Sequence, residues 1–413
     1  MKMKASVKLI VMALAALMCL AALPASGELS GKSSEDYEPL RELAEAYGFK
    51  LGGCLSYNQL RDASYMGIMA RHFSSITCTN ETKAYSMLDQ RASRAREDGM
   101  PGINFTQADK MIAWAQKNNV KVRGHVLVWD AYMTPWFFHE GYNEKNPVAD
   151  RETIRARMKS YIEQVITHFE TEYPGVIYCW DTVNEAIGDN LGEYEAKDPR
   201  HLRTMRNGQP NPFYVYAGED YVEYAFLCAK DTVEALGADI RLFYNDYNMF
   251  TADKRTAACA LAKSINSYAK DENGEYRVLI DGIGMQGYIG GYGTQNGCLS
   301  DQDITKLRDS ILQYASLGLE VQITEMAVRN YDREQAEKHA EFYGKLFKMF
   351  RSINSRDENH PLTAVCIWGI NDCPNLPQTN YTWKLNSPYG GLLDERNRVK
   401  TSFDAVYSAL KGE

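Results

Sequence analysis

A (β/α)8 TIM barrel of the α/β class is the fold predicted by this sequence of 413 residues, on three observations. Short apolar runs, too brief for helices, end in polar or acidic residues, as strands buried on both faces do. These runs alternate about eight times with amphipathic, helix-like stretches, the pattern of a parallel barrel. The first run, G-G-C-L-S, is not followed by a glycine-rich phosphate loop, which sets aside the doubly wound open sheet.

The chain opens on a segment that the fold does not need. Lys2, Lys4 and Lys8 precede an apolar run over 9–23 that ends in Pro24-Ala25-Ser26-Gly27. Residues 1–27 are therefore predicted to be a secretory signal peptide. Cys19 follows Met18, a poor fit to a lipoprotein box, so no lipid anchor is expected. A polar leader over 28–36 comes next, and then a single catalytic domain over 37–413.

Within that domain, candidate strands end near Ser56, Asn80, Trp129, Glu185, Asn248, Ile289, Glu325 and Asn371. Helix-like stretches include 107–119, 151–170, 218–236, 302–317 and 333–353. No linker, internal repeat or low-complexity run divides the chain. The excess over the roughly 250 residues of a bare barrel falls in the connections. The longest polar connection is 187–217, with Tyr194, Arg203, Phe213, Tyr214 and Tyr216.

Composition narrows the function. Removing the three signal-peptide lysines from a net charge of −8 leaves −11, so neither nucleic acid nor an anionic membrane is an expected partner. Nine cysteines include Cys54, Cys78, Cys179 and Cys366, all inside apolar runs, where a thiol serves as a small core hydrophobe. No ligand spacing for a metal occurs, and no cofactor is expected.

Two stretches carry candidate chemistry. V-I-Y-C-W-D-T-V-N-E-A at 176–186 ends in Asn184-Glu185, and L-E-V-Q-I-T-E-M at 319–326 places Glu325 after Thr324. A carboxylate at the C-terminal edge of a barrel strand sits where barrel enzymes do chemistry. Two carboxylates facing one another are what glycosidic cleavage requires, one as acid for the departing oxygen and one for the anomeric carbon.

W-D-T-V-N-E-A, R-G-H-V-L-V-W, L-F-Y-N-D-Y-N, D-G-I-G-M-Q-G and V-Q-I-T-E-M occur in one order. Together with F-S-S-I-T, the A-D-K at 108–110, W-G at 368–369 and G-L-L-D at 391–394, they resemble glycoside hydrolase family 10. That is the retaining endo-β-1,4-xylanase family of clan A, and the resemblance runs from about residue 40 to about 410. It implies Glu185 as acid/base and Glu325 as nucleophile. It also implies that Asn184 binds the 2-hydroxyl of the cleaved sugar, and that Lys83 and His125 bind its 3-hydroxyl side. Gln286 would orient the surroundings of the nucleophile, Trp129 and Trp368 would wall the subsite, and Asn80 would bind the next sugar outward.

The family pattern is broken in several places. Its T-x-E-N-x-x-K-W reads Thr77 to Ala84 here, with Thr79 replacing a substrate-binding glutamate and Ala84 a tryptophan; Glu81 is out of phase as a substitute. In W-H-x-Q the histidine is Asp130 and the glutamine Tyr132. The histidine that normally bonds the nucleophile is Tyr288, and a phenol can still donate that bond. The roofing tryptophan is Leu376, with Trp383 nearby in sequence.

The expected protein is thus a secreted, extracellular, monomeric endo-acting hydrolase that cleaves β-1,4-xylosidic bonds in xylan by double displacement. The polysaccharide is its partner, and no stable membrane association is expected. An altered subsite for another β-1,4-glycan or a decorated xylan is the alternative enzyme. A non-catalytic carbohydrate-binding barrel is the alternative of another class.

Overall fold

The computed structural model describes residues 28–292, 300–374 and 387–413. Eight strands form a closed parallel ring: β1 (Lys50–Leu55), β2 (Ser75–Cys78), β3 (Lys121–Gly124), β4 (Ile177–Asn184), β5 (Arg241–Asp246), β6 (Gly282–Met285), β7 (Glu320–Asn330) and β8 (Leu362–Ile367). Neighbours pair in chain order, and β8 returns to β1 through Lys50 opposite Ala364 and Gly53 opposite Ile367. The main helices between and after them are α1 (Leu40–Glu45), α2 (Ala63–His72), α3 (Thr106–Lys117), α4 (Arg151–Glu172), α5 (Tyr221–Leu236), α6 (Ala252–Ile265), α7 (Asp301–Ala315), α8 (Ala336–Asn354) and α9 (Thr401–Lys411).

The helices begin and end where their sequences dictate. The Asp150 side chain accepts from Thr153 N at 2.7 Å to start α4, and Ser300 with Asp303 forms a capping box at α7. Gly237, at φ 61°, stops α5 in the left-handed conformation. Their apolar faces, such as Ile162, Val165, Ile166 and Phe169 of α4, are buried in the same core as Val122, Leu242 and Val321 of the ring. Each such side chain contributes about 1.5–3 kcal/mol on burial.

The ring departs from the sequence expectations at several strand ends, β8 among them, which stops at Ile367 and not near Asn371. β3 stops at Gly124 and not near Trp129; the V-L-V-W that follows is a loop touching β4 through a bridge between Val128 and Val183. β6 stops at Met285 and not near Ile289. Tyr288–Tyr292 is a separate strand that pairs with the overhang of β7, Tyr288 opposite Ala327. Glu325 therefore does not close its strand but lies in the middle of eleven residues. The chain steps between the two strands over Gln286-Gly287. A Cβ on Gly287 would meet Ile323 Cγ2 at 2.9 Å and Met326 Cα at 3.1 Å, so only glycine fits the step.

The leader over 28–36 is part of the packing. Leu29 bridges Lys400, and buried Glu28 accepts from Arg333 at 2.6 Å. With α2 it lines a cavity of about 630 Å3, which none of the residues named for chemistry line. The predicted signal peptide over 1–27, together with Leu376 and Trp383, lies outside the described residues.

Candidate active site

Two irregularities in the ring aim the acidic residues. Between β4 and β5, Asp181 faces Phe243 and Val183 faces Tyr244, so β4 carries one extra residue just before Asn184. Between β7 and β8, Ile323 faces Val365 and Met326 faces Ile367, so the extra residue falls at Thr324-Glu325. Bulges of this kind re-aim side chains beside active sites. Glu185 adds a turn of its own: its φ is 53°, left-handed, a conformation costing a non-glycine residue about 1–2 kcal/mol. In a regular strand consecutive side chains point to opposite faces. Here Asn184 and Glu185 both reach Gln286, whose Nε2 donates to Asn184 Oδ1 and to Glu185 Oε1, each at 3.2 Å.

The second carboxylate joins the same network. Asn245 Nδ2 donates to Asn184 Oδ1 at 3.0 Å and to Glu325 Oε1 at 3.2 Å. Asn245 is itself held by Thr324 Oγ1, which donates to its Oδ1 at 2.6 Å. Gly284 leaves room for this arrangement, since a Cβ there would lie 2.5 Å from Asn245 Oδ1. Glu185 and Glu325 thus sit at one end of the barrel, linked through Gln286, Asn184 and Asn245. The Tyr288 hydroxyl donates to Glu325 Oε2, the bond expected of a phenol in that place. Gln286 differs from expectation: its amide serves Glu185 and Asn184, while Asn245 and Tyr288 hold Glu325.

Beneath this level lies a buried polar layer. Arg123 forms a two-pronged ion pair with Asp181, and its Nε donates to Gln322 Oε1 at 3.0 Å. Asp181 also accepts from His125 Nδ1 at 2.7 Å. Such pairing makes a buried guanidinium and carboxylate tolerable. The His125 ring lies 5.8 Å from that of Trp129 and 6.4 Å from that of Trp368. Lys83, buried, stands over the Trp129 and Tyr132 rings at 5.1 and 4.5 Å and donates to Asn80 Oδ1 at 3.3 Å. Asn80 is exposed at the outer edge.

The substituted positions have identifiable roles or none. The Tyr132 ring lies tilted against that of Trp129, 4.4 Å away, and 5.4 Å from that of Tyr85. Glu81 is spent on backbone, accepting from Tyr57 N at 2.6 Å and Asn80 N at 3.1 Å. The Thr79 hydroxyl is buried with no partner among the described residues. Asp130 binds Arg206 through two bonds of 2.8 Å each.

Sequence reasoning passed over three residues that shape the site. Asn245 and Asp246 lie inside the quoted L-F-Y-N-D-Y-N, but placing the strand end near Asn248 hid them. Arg206 lies in the connection 187–217; its Nη1 donates to Glu185 Oε2 at 3.0 Å and its Nη2 to the Glu185 carbonyl at 2.8 Å. A signal for it was present. Asn207-Gly208, with φ 51° and 76°, is the two-residue turn of a hairpin pairing Met205 with Pro210 and Arg206 with Gln209.

Electrostatics distinguish the two acids. Burial pushes the Glu185 carboxyl up to about 7; Asp246 and Glu325 push the same way, and Arg206 and the Gln286 bond oppose them. Lys83 is lowered by burial, against the pull of Glu325 and Glu185. The Tyr288 hydroxyl is raised well above its ordinary value by burial and by Glu325, so it stays a donor. The arrangement offers one acid able to hold a proton near neutrality and one carboxylate held by neutral donors.

Comparison with known proteins bears on this arrangement. The profile of glycosyl hydrolase family 10 matches residues 39–409. A relative from Caldicellulosiruptor saccharolyticus is 34% identical over 316 residues, covering 74% of this chain and 92% of that one. Endo-1,4-beta-xylanase B of Butyrivibrio fibrisolvens is 31% identical over 338 residues, 81% of this chain, which spans 47% of that relative's length. Among solved structures, the N-terminal modules of endo-1,4-beta-D-xylanase 10B of Clostridium thermocellum, in complex with xylohexaose, superpose with a TM-score of 0.74 at 25% identity. That match covers 90% of this chain and 67% of the other.

Proposed function

The chain belongs to glycosyl hydrolase family 10, and on that premise we propose that it is a secreted endo-1,4-β-xylanase working by retaining double displacement. The observation that carries this reading is the single network that joins Glu185 and Glu325 through Gln286, Asn184 and Asn245.

In the first step the Glu325 carboxylate attacks the anomeric carbon, a glycosyl ester forms and the glycosidic C–O bond breaks. Glu185 gives its proton to the leaving oxygen. Its raised proton affinity, centred at about 7, supports that role. Esterification removes the charge of Glu325, one of the influences that hold the Glu185 proton, so Glu185 leaves the step as a base. It then takes a proton from water, the oxygen attacks the anomeric carbon, and Glu325 departs as carboxylate.

Asn184 Nδ2 and Trp129 Nε1 are buried donors with no partner among the described residues. A buried donor finds an acceptor in nearly every stable arrangement, and sugar hydroxyls in the cleft supply one. Lys83 and His125 face the same space. Hydrolysis of xylo-oligosaccharides of defined length, followed by NMR, tests the mechanism: the β-anomer is released first, and initial release of the α-anomer would refute double displacement.

A second reading concerns the sugar accepted. Thr79, Ala84 and Tyr132 stand where the family pattern has a glutamate, a tryptophan and a glutamine, and offer an unpartnered hydroxyl, a methyl and a ring that is 40% exposed. These changes favour a decorated xylan or a neighbouring β-1,4-glycan, and parallel assays on xylan, arabinoxylan and cello-oligosaccharides discriminate. Secretion rests on the lysine-flanked apolar run at 9–23, and mature protein in culture supernatant beginning near Glu28 is the expected finding. No helix among the described residues is long and apolar enough to cross a membrane. Sedimentation tests the proposed monomer.

A further inference from the structure

The Asp130 carboxylate, where the family pattern has histidine, meets Arg206 from a connection 76 residues away. The two make a fork: Arg206 Nε and Nη2 reach Asp130 Oδ2 and Oδ1, both at 2.8 Å. Planar two-point pairing of this kind fixes a guanidinium in direction as well as position. The side chain of Asp130 is 4% exposed and that of Arg206 18%, so water screens the pair little. Arg206 also stands on a tight two-residue hairpin. The same connection is tied down by Arg203, which donates to the Ile187 carbonyl and to Glu193 Oε2, each at 2.8 Å.

With its Nε and Nη2 hydrogens committed to Asp130 and the Glu185 carbonyl, Arg206 makes one bond to the Glu185 carboxyl, from Nη1, at 3.0 Å. Nη2 additionally holds the Glu185 carbonyl at 2.8 Å, which pins the left-handed turn at that residue. The other groups facing Glu185 come from each element packed around it. Asp246 closes β5, with Lys254 2.9 Å from its Oδ1. Gln286 follows β6, Glu325 lies in β7, and Arg203 Nε meets the Glu185 carbonyl at 3.3 Å. Lys83, Tyr132 and Tyr288 feel its charge across the cleft. Among the described residues, Arg206 is the cation bonded to the carboxyl itself.

We propose that Asp130 and Arg206 form a positioning pair for the acid/base: Asp130 takes the fork of the guanidinium, leaving Arg206 a single bond, from Nη1, with which to aim the Glu185 carboxyl and stabilise it when ionised, without stripping it of its proton. An unshared arginine fork on Glu185 would hold it permanently as carboxylate, and no arginine at all would leave a poor base for the second step. Asp130 sets the point between. The inference rests on Glu185 being the acid/base.

The test is the pH dependence of kcat/KM on xylohexaose for Arg206→Gln, Asp130→Asn and the double variant, with thermal unfolding as a control. Arg206→Gln moves the alkaline limb up by about one unit and Asp130→Asn moves it down by a similar amount; the double variant lies between. Limbs that stay in place while Tm falls would show a purely structural tie and overturn the proposal. Should Arg206→Gln not fold, Asp130→Asn and the double variant decide by the same criterion. The underlying reading is checked separately. Glu185→Ala loses xylohexaose hydrolysis but cleaves an aryl xylobioside with an activated leaving group, accelerated by azide. Absence of that pattern would remove the acid/base assignment itself, whatever the limbs do.

Discussion

The two carboxylates of the cleft are held by different kinds of structure. Glu325 lies inside β7, 5% exposed, between the amide of Asn245 and the hydroxyl of Tyr288; both donors are neutral, and Asn245 belongs to the ring. Glu185 lies just beyond the end of β4 in a left-handed turn, and its direct partners are an amide from the step after β6 and a guanidinium from a loop. On the proposed mechanism, a group that must stay ionised until it attacks needs fixed donors, which a closed ring supplies. A group that must lose a proton and regain it needs a charge balance, and here that balance is assembled by connections. The barrel builds the setting of the proposed nucleophile, and the loops tune its partner.

Substitutions break this comparison with graded effects. Glu325→Ala removes the proposed nucleophile and lowers kcat/KM on xylo-oligosaccharides by about four orders of magnitude or more, measured by product release. Glu185→Ala costs about 10²–10⁴ on natural leaving groups; equal loss on activated aryl xylosides would refute the asymmetry. Tyr288→Phe removes one charge-assisted bond from Glu325, an effect of about 1.5–3 kcal/mol, so kcat falls about ten- to a hundredfold. Gly284→Ala forces Asn245 from its place and lowers kcat by about tenfold, with Tm reporting whether the ring adapts.

The smallest effect sharpens the comparison through stability. The Glu185 carboxyl is raised in the folded protein from 4.5 to about 7. Its contribution to stability is therefore fully present below about 4.5 and is lost as pH rises through about 7. Glu185→Gln lacks that titration. The Tm of this variant relative to the parent therefore rises between pH 4.5 and 7 and levels off above, as calorimetry across that range would record.

Much of this is legible in the sequence. Glu185 and Glu325 stand out because each closes a short apolar run, at the strand edge where barrel enzymes do chemistry. Asn184, Lys83, His125, Trp129 and Trp368 followed from the motifs. What escaped reading depended on register and on distant pairing. Extending the fifth strand to Asn248 passed over Asn245, because Tyr247 and Phe250 continue an apolar pattern past the true end at Asp246. The bulges at Thr182 and at Thr324-Glu325 leave no trace in composition, since an extra residue changes phase without changing type. Arg206 has no periodicity around it, and its bond to Asp130 spans 76 residues; only the Asn207-Gly208 turn marked its place. The substitution of Asp130 for histidine was visible, but its meaning required the arginine.

The pairing of β1 with β8 also governs how the molecule is made. As a nascent chain leaves the ribosome, β1 exposes an open edge until residues 362–367 have emerged, and unpaired edges recruit other chains. The clasp of Leu29 to Lys400 likewise waits until residue 400 has emerged. Such long-range closure is slow, so the polypeptide passes through a stage in which chaperones compete with aggregation. A chain that ends before residue 362 keeps the β1 edge open.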